Sequence, residues 1–125
     1  MTSSLDVISY IFNALNCAHP FRVSRILLLA EWRAEERLGH RLTDLTYVKE
    51  SFGFYMEGLA EVIEYLQNRG CLEKVEEEKC LRYLCGPPEL PPDVASLLEE
   101  IIAETKGLSD RELNKLVIED PRYGR

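Results

Sequence analysis

A chain of 125 residues, 46% of them apolar, can bury one core and is too short for two domains. Its 22 acidic and 15 basic residues give a formal charge of −7, which opposes binding to a phosphate backbone unless the cations share one face. The opening MTSSLDVISYIFNALNCAHPF has no basic leader, and Asn13 and Asn16 interrupt its short apolar run, so neither a secretory signal nor a membrane span is expected.

The expected location is therefore the cytoplasm. Cys17, Cys71, Cys80 and Cys85 are expected there as reduced thiols that pack like small hydrophobes. Disulfides would fit a hyperthermophilic source, to which the single Gln and the high charge point weakly.

In chain order, residues 4–17 predict a helix, because Ile8, Ile11, Phe12 and Leu15 fall on one face. Ser3 or Ser4 caps its start and Pro20 ends it. Residues 22–38 predict a second helix on the stripe Val23, Leu27, Ala30, Ala34 and Leu38, stopped by Gly39. Arg22, Arg25, Arg33 and Arg37 make its other face the one basic face of the chain; residues 22–41 hold five Arg against three Glu. Residues 42–53 predict a short helix capped by Thr43, with Leu45 and Val48 inward and a turn at Gly53.

The next helix is expected over about 55–69, with Leu59, Val62, Ile63 and Leu66 inward and Gly70 just past its end. Two strands follow, about 71–75 and 80–85, around the acidic tip Glu76-Glu77-Glu78-Lys79. The prolines of GPPELPP (86–92) make a stiff connector. Residues 93–105 predict a helix capped by Asp93, with Leu97, Leu98, Ile101 and Ile102 inward. Ser109-Asp110-Arg111-Glu112 is a capping box that announces a last helix, which packs through Leu113, Leu116 and Val117 and stops at Asp120-Pro121.

The expected fold class is mainly α with a small β-hairpin (α+β). A single domain over 1–125 has a winged-helix-like core at about 22–85, flanked by an N-terminal helix and a C-terminal helical extension at about 93–120. A winged helix usually reads DNA through cations on its docking helix. Here that helix carries Glu57, Glu61 and Glu64, and residues 54–69 sum to −2. The hairpin, 71–85, sums to −1. DNA binding would have to use Arg22, Arg25, Arg33 and Arg37.

No catalytic constellation is legible. His19 and His40 have no nucleophile at a recognisable spacing, and no glycine-rich phosphate loop exists. The cysteine spacing C-x8-C-x4-C lacks the tight pairs of structural zinc sites. No metal, cofactor or enzymatic activity is expected. Trp32, Phe54 and Tyr55 are candidate partner anchors, since aromatics dominate interface hot spots, with core packing as the competing role.

RILLLAEWRAEERLGHRLTDLTYV (25–48), SFGFYMEGLAEVIEYLQNRGCLEKV (51–75) and GLSDRELNKLVIEDPRYG (107–124) follow one another in an order that resembles the Panacea-domain family, the SocA-like and phage-associated GepA-like proteins. The resemblance covers about 22–124. Phe54 stands where the family commonly has proline, and Gly70-Cys71-Leu72 replaces its Gly-Leu-Ile. It implies a small helical domain with a hairpin and no catalytic residues. It also implies an antitoxin-like or proteolytic-adaptor-like role on a protein partner, often a co-encoded toxin.

The expected function is thus protein–protein recognition, with Trp32, Phe54, Tyr55, Glu57, Glu61 and Glu64 as contact residues. The alternative is a winged-helix transcriptional regulator, homodimeric through its N-terminal helix. A structural subunit of a larger assembly comes third.

Overall fold

The computed structural model describes residues 3–51 and 53–124. Helix α1 (Ser4–Leu15) starts where Ser3 accepts the Asp6 amide. It ends at Asn16, whose φ of +68° turns the chain into the two-residue strand β1 (Cys17–Ala18). Pro20, expected to end the first helix, is instead the first residue of α2 (Pro20–Arg37). Its missing N–H is harmless there, and its fixed φ already suits a helix. His19 caps α2 by accepting the Phe21 amide on Nδ1 at 3.0 Å.

Helix α2 is the axis of the molecule. Val23, Ile26, Leu27, Ala30 and Ala34 are fully buried, because α1, α4 (Pro92–Thr105) and α5 (Asp110–Ile118) all pack on it. One continuous core joins Ile8 and Phe12 of α1 to Leu98 of α4 and Leu113 and Val117 of α5. Each such side chain contributes roughly 1.5–3 kcal/mol by leaving water.

The expected helix at 42–53 does not form. Residues 41–45 are an irregular loop, followed by an antiparallel hairpin of β2 (Thr46–Glu50) and β3 (Gly53–Glu57), closed at the pair Glu50 and Gly53. The first residues of the helix expected at 55–69 belong to β3. Phe54 and Met56 face inward, while Tyr55 and Glu57 face out, a strand period. Helix α3 (Leu59–Asn68) begins only after Gly58, which sits at φ +98°. It buries Leu59, Ile63 and Leu66 and stops before Gly70 at φ +76°.

The second hairpin lies where the sequence places it: β4 (Leu72–Val75) pairs with β5 (Cys80–Tyr83). β5 also pairs with β1, which gives a three-stranded sheet in the order β1-β5-β4. In α4 the N-cap position is Pro91, not the expected Asp93, which sits within the first turn and accepts the Val94 amide at 2.9 Å. The capping box of Ser109 and Glu112 on α5 forms both of its hydrogen bonds. Leu116 is 49% exposed, not packed. A 3₁₀ turn, Pro121–Gly124, closes the described chain.

The cysteines are not free thiols. Cys17 bonds Cys80, and Cys71 bonds Cys85, with Cα separations of 5.4 and 5.0 Å. The first ties β1 to β5. The second ties the end of α3 to the far end of the hairpin. Among the described residues, no helix is long and apolar enough to cross a membrane.

Candidate binding groove

Helix α3, the hairpin β4–β5, strand β3 and the first turns of α2 surround a groove with two lobes that share His19, Pro20 and Ile63. The outer lobe has a volume of about 500 Å³. Gln67 of α3 and Lys74, Glu76, Lys79 and Leu81 of the hairpin line it. The inner lobe, about 450 Å³, runs between Phe21 and Arg25 of α2, Phe54 and Met56 of β3, and Leu59 and Ala60 of α3.

The floor of the inner lobe follows from local structure. Phe21 and Arg25 are one helical turn apart, so their side chains stack on the same face of α2. The Arg25 guanidinium lies 3.8 Å from the Phe21 ring centre and 4.0 Å from that of Phe54, which β3 brings to its other side. Burial pulls the guanidinium below its usual arginine value, and the neighbouring Tyr123 opposes that shift. As the cap acceptor, His19 Nδ1 must be unprotonated, so the neutral ring carries its proton on Nε2.

Of the six expected partner residues, the structure brings only Phe54 and Tyr55 to the groove. Phe54 is 5% and Trp32 6% exposed, which makes both core residues; Tyr55 is 47% exposed. Trp32 instead joins Tyr47, Phe54 and Tyr123 in an aromatic cluster that holds the β2–β3 hairpin and the C-terminal turn on α2. Tyr123 completes that clamp by donating to the Gly53 carbonyl at 3.1 Å. Glu57, Glu61 and Glu64 are exposed, and none has an ion-pair partner among the described residues. Glu61 borders a separate hollow of about 270 Å³ with Leu5, Val62 and Tyr65.

The expected basic face does not exist as a free surface. Arg22 donates to Asp110 at 2.7 Å and to the Thr105 and Leu108 carbonyls at 2.8 Å, closing the corner between α4 and α5. Arg33 forks onto Glu104 and reaches Glu100, and Arg37 forks onto Glu100. These bonds raise both arginines above their ordinary value and hold Glu100 and Glu104 below the usual carboxylate range. Arg25 is buried.

Cys17, Cys80 and Glu78 gather within 4.8 Å, but the two sulfurs are bonded to each other and offer no thiolate to a metal. The sequence gives His19 no catalytic partner, and nothing in it marks the cap or the inner lobe. The Phe21/Arg25 spacing was a local signal for a stacked pair, whereas Phe54 reaches it only through the tertiary fold. Compared with protein families, characterised proteins and solved structures, the chain matches none.

Proposed function

We propose that this chain is a non-enzymatic protein-recognition module, antitoxin-like or adaptor-like, on a winged-helix-like core. The order α1-β1-α2-α3-β4-β5, with sheet order β1-β5-β4, supports such a core beginning at α1, with β2–β3 inserted before α3. The face such a core turns toward DNA is α3 with its hairpin wing.

The single observation that carries the reading is the charge of that face. It exposes Glu61, Glu64 and the tip Glu76–Glu78, while all four arginines of α2 are engaged by groups of α4 and α5. On this face Glu61, Glu64, Glu73 and Glu76–Glu78 outnumber Arg69, Lys74, Lys79 and Arg82, and the acidic excess attracts a basic polypeptide and speeds its encounter. Phosphate is repelled by the same excess. The partner is a basic protein, with a co-encoded toxin as the concrete case.

The test uses the full chain as bait in an extract of its native host, with mass identification of what it retains, and duplex DNA in a parallel gel-shift assay. The expected result is capture of one basic protein, weakened when Glu61 and Glu64 are both replaced by Lys. Sequence-selective duplex binding at physiological salt, with a steep salt dependence, overturns the proposal in favour of the regulator.

A further inference from the structure

The inner lobe of the groove holds a cation without a counter-charge. Arg25 is 5% exposed, and no carboxylate pairs with it among the described residues. The other three arginines named on α2 all reach carboxylates. Arg25 Nε donates to Asn114 Oδ1 at 3.0 Å, and Nη1 donates to Ser24 Oγ at 2.9 Å. Nη2 donates to no acceptor among the described residues. Among the described residues, no fully covered side-chain nitrogen or oxygen lacks a partner. Nη2 therefore keeps contact with solvent, beside Gly53, and among the described residues Arg25 lines the inner lobe.

A buried charge is costly unless something answers it. The rings of Phe21 and Phe54 answer part of it with their π faces. They leave the Nη2 hydrogens unmatched. The remaining walls are largely apolar, Pro20, Met56, Leu59, Ala60 and Ile63, beside Ser24 and Tyr55. Among the described residues no Asp or Glu lines this lobe, and its volume of about 450 Å³ lies in the range of small-molecule sites. His19 stands at the edge.

We infer that the inner lobe binds a small molecule with one carboxylate on a flat apolar body. The carboxylate meets Arg25 Nη2, and the body lies along Met56, Leu59 and Ile63. A phosphate fits less well. It would bring up to two negative charges to one guanidinium and lay its hydration shell against hydrocarbon. The inference does not depend on the protein-recognition reading, because neither the carboxylates of α3 and the hairpin tip nor the outer lobe enter it.

The experiment is calorimetric titration of the full chain with naphthalene-2-carboxylate, its neutral carboxamide and inorganic phosphate. One charge-assisted hydrogen-bond pair predicts that the carboxylate binds roughly tenfold to a hundredfold more tightly than the amide. Phosphate should bind more weakly than either. Arg25→Met should erase the preference for the carboxylate and leave the amide affinity unchanged. Should that variant fail to fold, Ala60→Trp tests the same site. Ala60 is exposed on α3 and lines the lobe, so the larger side chain should fill it and abolish binding of the carboxylate. Equal affinity for carboxylate and amide overturns the inference. So do tight phosphate binding, absence of carboxylate binding at millimolar concentration, and a preference that survives in Arg25→Met or in Ala60→Trp.

Discussion

Thr43 Oγ1 donates to Glu31 Oε2 at 2.6 Å, and Glu31 is only 1% exposed. The same carboxylate accepts the Leu42 amide at 2.6 Å, the Thr43 amide at 3.3 Å and Arg41 Nη2 at 3.1 Å. One side chain of α2 thus organises the loop that feeds the β2–β3 hairpin. Glu31→Ala leaves those donors buried without an acceptor, and should cost about 3–5 kcal/mol in urea unfolding. Glu31→Gln keeps the shape but turns one acceptor into a donor, and should cost about 1–3 kcal/mol. A change below that range for Glu31→Ala would mean the loop stands without it.

The two disulfides close loops of different length. Cys17 and Cys80 are 63 residues apart, and Cys71 and Cys85 are 14. Chain entropy alone predicts that losing the first bond costs about 4 kcal/mol and losing the second about 3 kcal/mol. Thermal melts of Cys17→Ser/Cys80→Ser and Cys71→Ser/Cys85→Ser should therefore both fall well below the parent, with the first pair lower. Thiol titration of the unfolded, unreduced chain should find no free cysteine. Four titratable thiols in that assay would restore the reduced reading.

Those bonds mark a limit of reading sequence alone: spacing showed cysteines but not which strands would bring them together. Elements with local causes were legible. The stripe Val23, Leu27, Ala30, Ala34 predicts α2, and the capping box predicts α5, because both act within one or two turns. The β2–β3 hairpin was lost to a helix reading because its support is remote. Tyr47 donates to the Tyr123 carbonyl, 76 residues away, and Phe54 packs on Tyr123 and Arg25. The alternation of Phe54 and Met56 against Tyr55 and Glu57 was nevertheless a strand period in plain view. The arginines of α2 read as a basic face because Glu100, Glu104 and Asp110 lie more than 60 positions downstream, and nothing in a helix's own sequence says what will cover it.

Tyr10 donates to Glu99 at 2.6 Å, linking α1 to α4. Burial, the hydrogen bond and the Glu99 charge together push its pKa up to about 12 from 10.0. A raised folded value means that this contribution to stability is whole below pH 10 and is lost as the pH climbs through about 12. Burial raises Tyr123 as well, so absorbance titration of tyrosinate should show more than one late phenol, with the step at about 12 absent in Tyr10→Phe. Glu99→Gln should bring it part of the way back, since burial remains. A single ordinary titration step for all tyrosines would remove the link.

Gly58 joins β3 to α3 at φ +98°, and a Cβ there would lie 2.5 Å from Leu45 Cδ2. Two penalties therefore meet in Gly58→Ala: a backbone that L-residues resist, and a collision with a buried leucine of the loop that Glu31 holds. Gly70 isolates the first, since it sits at φ +76° with nothing within 4 Å. Gly70→Ala should cost about 1 kcal/mol and Gly58→Ala about 2–3 kcal/mol in urea unfolding. The excess should shrink in Gly58→Ala/Leu45→Ala, because the collision partner is gone, and the double-mutant cycle measures that coupling directly. Equal costs at the two glycines would place Leu45 farther from the β3–α3 joint. The hairpin would then be free to shift against α3, and the inner lobe of the groove would have no fixed wall.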